Sequence, residues 1–377
     1  MKVFHYTCRG ESHIEANKVC QDASDSITRD SMSMAIVCDG HGGSRYFRSD
    51  IGAKIATNVT KVCVEEFIRQ IDTALLKGKP YTKKSAISSE VQLNLFTKDT
   101  LTDKSFRQLF SSIIYNWRVK IVQHAEQFPL TSTEKEQVEY RYQNDFINGI
   151  GIEKVYGCTL ICYVITADYW FAFQIGDGKC ISFDMEGNWE EPIPWDENCF
   201  LNKTTSLCDS SALNEFRYSY CGDGHYPLAV FLGTDGIDDS FGEIENMIDF
   251  YIQVLKLIVN EGEEHTLNTV KETLPQLSKI GSKDDLSMAC IYDDILLSTY
   301  IKSLIIWQYF NVSNAVGKLN VRISQLQLQL RRLSIERFIS NRYDIDYQYI
   351  LKELARASDK QKKLMKKWAR FYGELTN

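Results

Sequence analysis

The chain alternates between short apolar runs and longer segments whose apolar residues recur at helical spacing. Lys2–Arg9 alternates in the manner of a strand, Gly10–Asp25 reads as a polar loop, and Met32–Cys38 is a second strand with little polar interruption. From Ser44 to about Lys79 the residues Ile51, Ile55, Val59, Val62, Phe67, Ile71 and Leu75 predict one long amphipathic helix. Residues 80–101 read as an exposed loop, and Phe106–His124 and Thr133–Phe146 as two further helices. Gly157–Ala167 and Tyr169–Asp184 are β-rich runs joined by a tight turn at Ala167-Asp168, which predicts a β-meander. Residues 189–223, rich in Asn, Ser, Thr and Asp, predict a loop-rich flap rather than core. Leu228–Gly233 and Asp285–Tyr292 are strands, and Gly242–Val259 and Glu264–Leu277 are helices.

After Asp293-Asp294 the pattern becomes helical only. Ile323, Leu326, Leu330 and Leu333 step by three and four, as do Tyr347, Ile350 and Leu354, then Leu364, Trp368 and Phe371. Two amphipathic helices with a break near Asn341 follow, and a helical hairpin is the expected arrangement. The expected domains are therefore 1–294, with a helical insertion at about 80–150, and 295–377.

Charge sharpens this division. Residues 301–377 hold 15 Lys+Arg against 6 Asp+Glu (+9), whereas the preceding residues hold 28 against 44 (-16). The acidic part is the candidate cation binder. The basic face of the tail, with Lys360, Lys362, Lys363, Lys366, Lys367 and Arg370, could attract nucleic acid, an anionic membrane or an acidic protein, against the plainer reading of a solvated helix face. The charge difference also favours docking of the hairpin on the acidic domain, where it would modulate substrate access. With 44% hydrophobic residues the 377-residue chain can bury a large core. The absence of a signal-like start or a long apolar run points to a cytoplasmic protein without a membrane span. Eleven Cys, scattered without CxxC pairs, argue against disulfides and zinc; Cys38, Cys158, Cys162 and Cys290 sit in strand-like runs as small hydrophobes.

Candidate chemistry collects where strands end. Asp39-Gly40-His41-Gly42-Gly43 follows the strand from Met32, and acidic residues recur at Gln21-Asp22, Asp177, Asp235 with Asp239, and Asp284-Asp285. Carboxylate and carbonyl oxygens suit hard divalent cations such as Mg²⁺ or Mn²⁺, whereas zinc would want His or Cys. A lone Asp in a turn is more often a capping group. The set in one order, DGHGG, GCT, IGDGK, GTDGIDD and KDDLS, with strands leading into the motifs, favours a site.

That ordered set resembles the metal-dependent serine/threonine protein phosphatases of the PPM or type-2C family over roughly residues 1–293. The resemblance implies an α+β fold, a four-layer α/β/β/α sandwich of two antiparallel sheets flanked by helices, with a two-metal site at one end of the sheets. Position by position, Asp39 matches the metal-bridging aspartate, Gly40 the backbone-carbonyl ligand, and Asp235 and Asp284 carboxylates on the first metal. Asp22 matches the aspartate of an N-terminal Glu-Asp pair, here Gln21-Asp22, so contact through Asp22 or water replaces direct ligation by residue 21. Asp177 and Asp239 match positions linked to a third, weaker metal, and His41 the proposed general acid. The phosphate-binding Arg of many members is replaced by Asn17. The Gly10-Glu11-Ser12-His13 turn resembles a bacterial branch with Ser-His before Cys-Gln-Asp, which makes His13 or Arg9 the candidate phosphate contact. Gly157-Cys158-Thr159 matches a structural strand start.

The implied reaction is hydrolysis of phosphoserine or phosphothreonine on proteins by a water activated between two Mn²⁺ or Mg²⁺ ions. Competing readings are a phosphatase of the same fold acting on a small phosphorylated molecule, a pseudophosphatase, and a regulator whose basic tail binds nucleic acid. The intact set Asp39, Asp235 and Asp284 argues against the pseudophosphatase.

Overall fold

A computed structural model describes every residue except 30–31, 84–99, 141–142, 144–150, 200–203, 341–343 and 377. The chain forms two compact units, Met1–Asp184 with Trp189–Ser298, and Met185–Asn188 with Thr299–Asn377.

The first unit contains two antiparallel sheets. One has the order β1 (Lys2–Cys8), β11 (Leu286–Tyr292), β10 (Ala229–Gly233), β7 (Lys179–Phe183) and β8 (Trp189–Glu190). The other runs β2 (Ala23–Arg29), β3 (Met32–Cys38), β5 (Leu160–Ile165), β6 (Trp170–Ile175), β9 (Arg217–Gly222) and β4 (Gly78–Lys83). Ala35, Val37, Ile161, Tyr163, Val230, Leu232, Ala289 and Ile291 share the core between the sheets. The alternate residues Met34, Ile36, Cys38, Leu160, Cys162 and Val164 face the other way, into a core shared with the helices α2 (Ser49–Gln70) and α3 (Leu101–Gln127). Strands apolar on both faces read as continuous hydrophobic runs, which is why β3, β5 and β10 stand out in the sequence. The opposite layer is formed by α8 (Ile244–Glu261) and α9 (Glu263–Ile280), and Tyr251 of α8 stacks on Phe231 of β10 at 4.3 Å. The architecture is the expected four-layer α/β/β/α sandwich.

Several boundaries differ from the sequence reading. Gly10–Asp25 is not all loop, because α1 (Glu11–Glu15) and the start of β2 lie within it. The helix expected from Ser44 begins at Ser49, where Arg48 turns inward, and ends at Gln70 before a 3₁₀ turn at Thr73–Leu76. Gly78–Lys83 pairs with β9 as an edge strand rather than opening a loop, and the rest of that loop lies largely outside the described residues. The helix expected at Thr133–Phe146 is the short α4 (Ser132–Gln137), with most of the remainder outside the described residues. The turn at Ala167-Asp168 joins β5 to β6, but Tyr169–Asp184 is two strands and β7 crosses to the other sheet, so the run is no simple meander. Residues 189–223 are not merely a flap: Leu207, Cys208, Phe216 and Tyr218 are buried, and β9 lies between β6 and β4. Arg217 and the Tyr218-Ser219-Tyr220 run broke the apolar pattern that would have marked β9.

In the second unit, α10 (Asp294–Ser340, from residue 299 onward) pairs with α11 (Asp344–Thr376). Trp368 Nε1 donates to Ser313 Oγ at 2.9 Å, Tyr309 packs against Trp368 and Tyr372, and Gln361 bonds Asn320, so the helices run antiparallel. No helix among the described residues is long and apolar enough to cross a membrane.

Candidate metal-dependent active site

Antiparallel pairing brings the C-terminal ends of β1, β3, β6 and β10 to the same edge as the N-terminal ends of β5, β7 and β11. Asp39 follows β3, Asp177 lies in the turn between β6 and β7, and Asp235 opens α7 (Asp235–Phe241) after β10. Asp284 precedes β11, and Asp22 precedes β2. Six acidic side chains, Asp22, Asp39, Asp177, Asp235, Asp239 and Asp284, thus interact electrostatically within one cluster.

Their environments differ. Asp39 and Asp235 lie side by side; burial pushes Asp39 well above the usual carboxylate range, with Asp235, Asp22 and Asp177 adding repulsion. Burial likewise pushes Asp235 up to about 6, opposed by its interaction with Asp39 and reinforced by Asp177, Asp284 and Asp239. Asp22 is buried and raised by desolvation and then by Asp285, although Thr234 Oγ1 donates to it at 2.9 Å. Burial also raises Asp177. Carboxylates held this way take up either protons or a cation. The donor set, oxygen throughout, fits a hard divalent ion.

The backbone around these groups is tightly built. Thr159 N–H donates to the Asp39 carbonyl at 2.8 Å and Thr159 Oγ1 accepts from Asp39 N–H at 3.0 Å. His41 N–H donates to the Gly157 carbonyl at 3.1 Å. These bonds flank the Gly40–Cys158 bridge, so the ladder runs through Asp39 and His41 and the Gly40 carbonyl points out of it. A Cβ at Gly40 would lie 2.2 Å from the Gln21 carbonyl, which excludes any larger residue. Gln21 itself is turned away from the acidic cluster: Nε2 donates to the His41 carbonyl at 3.1 Å and to Ser49 Oγ at 2.5 Å, tying DGHGG to the start of α2.

Asp285 contrasts with its neighbours. Gly10 N–H and Gln21 N–H each donate to it at 2.6 Å, and His13 Nδ1 lies 2.8 Å away. Burial acts upward on Asp285, but these three donors outweigh it and hold its pKa below the ordinary value. His13 is raised in turn by that hydrogen bond. Ligand atoms of His13, Asp284 and Asp285 lie within 4.8 Å of one another, yet His13 and Asp285 already satisfy each other, leaving the exposed Asp284 as that trio's available carboxylate. Arg9 is exposed and donates to the Lys18 carbonyl at 3.2 Å.

The His41 ring lies edge-on to Tyr46 with ring centroids 5.0 Å apart. Burial lowers its pKa to about 4; Asp209 acts against that shift, and Lys154 and Arg45 add to it. Tyr46, Arg45, Lys154 and Asp209 also line a cleft of about 630 Å³, with Thr204 and Thr205 among its other walls. None of these cleft residues was singled out in the sequence, because they come from three separated segments. The GTDG stretch does carry a signal for Thr234: a hydroxyl immediately before a site carboxylate.

The pattern of the protein phosphatase 2C family matches residues 9–274. No curated protein matches the chain. Among solved structures, the chain is similar to serine/threonine phosphatase Stp1 from Staphylococcus aureus at 13% identity and a TM-score of 0.44, covering 78% of this chain and 95% of that one. The catalytic domain of the serine/threonine protein phosphatase PstP in complex with two manganese ions gives 12%, 0.44, 78% and 98%. A C. elegans sex determining protein gives 13%, 0.48, 81% and 67%. With the family pattern spanning well over half of its length, the chain belongs to the protein phosphatase 2C family.

Proposed function

We propose that the protein is a metal-dependent phosphatase that hydrolyses phosphoserine and phosphothreonine on proteins. The observation that carries this reading is the convergence at one sheet edge of Asp39, Asp235, Asp22, Asp177, Asp239 and Asp284, with Asp39 and Asp235 buried and repelled by their neighbours. Asp39, Asp235, Asp284 and the Gly40 carbonyl would hold two Mn²⁺ or Mg²⁺ ions, and Asp177 with Asp239 a third, weaker one. Asp22, fixed by Thr234, would act from the second rank of the cluster. Bound there, divalent cations supply the positive charge that activates water and neutralises phosphoryl oxygens.

The chain's own groups then divide the remaining work. Thr159 and Gln21 hold the DGHGG backbone, so that Asp39 and His41 keep a fixed separation. His41 donates a proton to the departing serine or threonine oxygen. Burial lowers the ring's pKa to about 4 in the free protein, so the general-acid role requires the phosphate dianion of the bound substrate to raise it. His13, held by Asp285 beside Asp284, would meet a phosphoryl oxygen with its remaining ring nitrogen, in preference to Arg9, which donates to the Lys18 carbonyl. Cys residues have no part in the scheme.

The test is turnover of a phosphothreonine peptide with Mn²⁺ and with EDTA, in the wild type and Asp39→Asn. Turnover is expected only in the wild type with metal. Undiminished activity in EDTA would overturn the assignment.

A further inference from the structure

The Gly176-Asp177-Gly178 turn is held by groups that lie far from it in sequence. Arg217 is among the largest fully buried side chains; its guanidinium donates to the Gly176 carbonyl and, through Nη1, to the Pro194 carbonyl at 3.0 Å. Its charge is balanced by Asp196, with both side chains 1% exposed and Arg217 Nε 3.8 Å from Asp196 Oδ2. That separation is too long for a hydrogen bond, and Nε has no hydrogen-bond partner. Thr205 closes the circuit: its hydroxyl accepts from Gly176 N–H at 2.9 Å and donates to Asp196 Oδ2 at 3.2 Å. Gln174 Nε2 adds donors to the Gly176 and Gly178 carbonyls at 3.1 and 2.7 Å. Gly176 has φ +106°, and a Cβ there would lie 2.5 Å from the Thr159 side chain that clamps Asp39.

A buried arginine spent on backbone carbonyls is costly unless position matters, since desolvating a guanidinium and a carboxylate is repaid only partly by their attraction. Surface loops seldom carry such a pair. Here it joins Pro194, Asp196 and Thr205 to one turn, and that turn contributes a single acidic side chain to the site.

We propose that Arg217 and Asp196 are positioning residues that set the Asp177 carboxylate through the Gly176 backbone, with Thr205 as the relay between them. The proposal rests on the reading of Asp177 as a metal-holding residue. Groups that orient a ligand through an intermediate typically change metal affinity by about 10- to 100-fold when removed. Loss of the circuit should therefore weaken the Asp177 site without abolishing the stronger ones.

The test is equilibrium Mn²⁺ binding to the full chain, followed by electron paramagnetic resonance, for the wild type, Asp177→Asn, Arg217→Lys and Thr205→Val. Thr205→Val removes one hydroxyl and leaves every charge in place, so it decides the matter if Arg217→Lys does not fold. The expected result is that Asp177→Asn loses the weakest class of Mn²⁺ sites, and that Thr205→Val and Arg217→Lys weaken that class by about 10-fold or more. Half-saturating Mn²⁺ for turnover should rise by the same factor, with a much smaller fall in kcat at saturating metal. Folded Thr205→Val with wild-type Mn²⁺ binding, alongside an affected Asp177→Asn, would overturn the positioning role alone. Wild-type binding by Asp177→Asn would remove the metal role of Asp177, and this inference with it.

Discussion

Thr159 grips Asp39 through both of its backbone groups, donating its N–H to the Asp39 carbonyl at 2.8 Å and accepting the Asp39 N–H on its hydroxyl at 3.0 Å. The side chain that carries negative charge into the site is therefore fixed at its own backbone. Thr159→Val keeps the shape and leaves the Asp39 N–H without its acceptor, an expected loss of about 1–3 kcal/mol in urea unfolding. Thr159→Ser should restore most of it. If valine is as stable and as active as threonine, the clamp has no energetic role.

Metal should stabilise the fold as well as support turnover. A carboxyl whose pKa is higher in the folded than in the unfolded state binds protons preferentially when folded, so its contribution favours folding at low pH. Asp235, raised from 3.8 to about 6, should make the metal-free protein lose stability as pH rises through that window, with Asp39 and Asp22 acting in the same direction. Mn²⁺ should raise Tm most at the upper end of the window, where these groups have lost their protons. Asp39→Asn should be at least as stable as the wild type without metal and gain little from Mn²⁺. A Tm unaffected by Mn²⁺ at pH 7 would contradict this.

His41 should matter according to the leaving group. A proton donor helps an alkoxide far more than a phenolate, so His41→Ala should lose about 10²- to 10⁴-fold on a phosphothreonine peptide and much less on p-nitrophenyl phosphate. Equal losses on both would make its role structural.

Away from the site, Arg48 bonds both Glu134 oxygens at 2.7 and 3.0 Å, the Phe128 carbonyl and Tyr156 Oη, with its side chain 8% exposed. Its hydrogen bonds to Glu134 lower that carboxyl from 4.5 to about 2. A depressed carboxyl stabilises the fold above its unfolded pKa, and the contribution fades as pH falls from about 4.5 toward 2. Arg48→Met should lower Tm at pH 7, and the difference from wild type should narrow on acidification. A constant difference across that range would show that packing alone is responsible.

Much of the fold is legible along the chain because burial leaves a local mark. Met32–Cys38 and Leu286–Tyr292 are buried at every position, so apart from Ser33 and Ser287 their side chains are apolar on both faces and the strand is visible without knowing its neighbours. The 3-4 spacing of Ile323, Leu326, Leu330 and Leu333 announces helix for the same reason. The acidic motifs are legible as an ordered set, since each follows or precedes a strand. Ala23–Arg29 and Arg217–Gly222 escaped because their stability comes from pairing and polar contacts: Ser24 bonds Thr7, and Arg217 spends its charge on carbonyls of other segments. The partition of the acidic groups was likewise a tertiary outcome. His13 and Asp285 are 272 residues apart and meet at 2.8 Å, which satisfies one of two adjacent aspartates and leaves Asp284 exposed. Sequence alone determined which residues could bear charge at strand ends; the packing of distant donors decided which charges were already neutralised, because hydrogen bonds and desolvation act over a few ångströms in space whatever the separation along the chain.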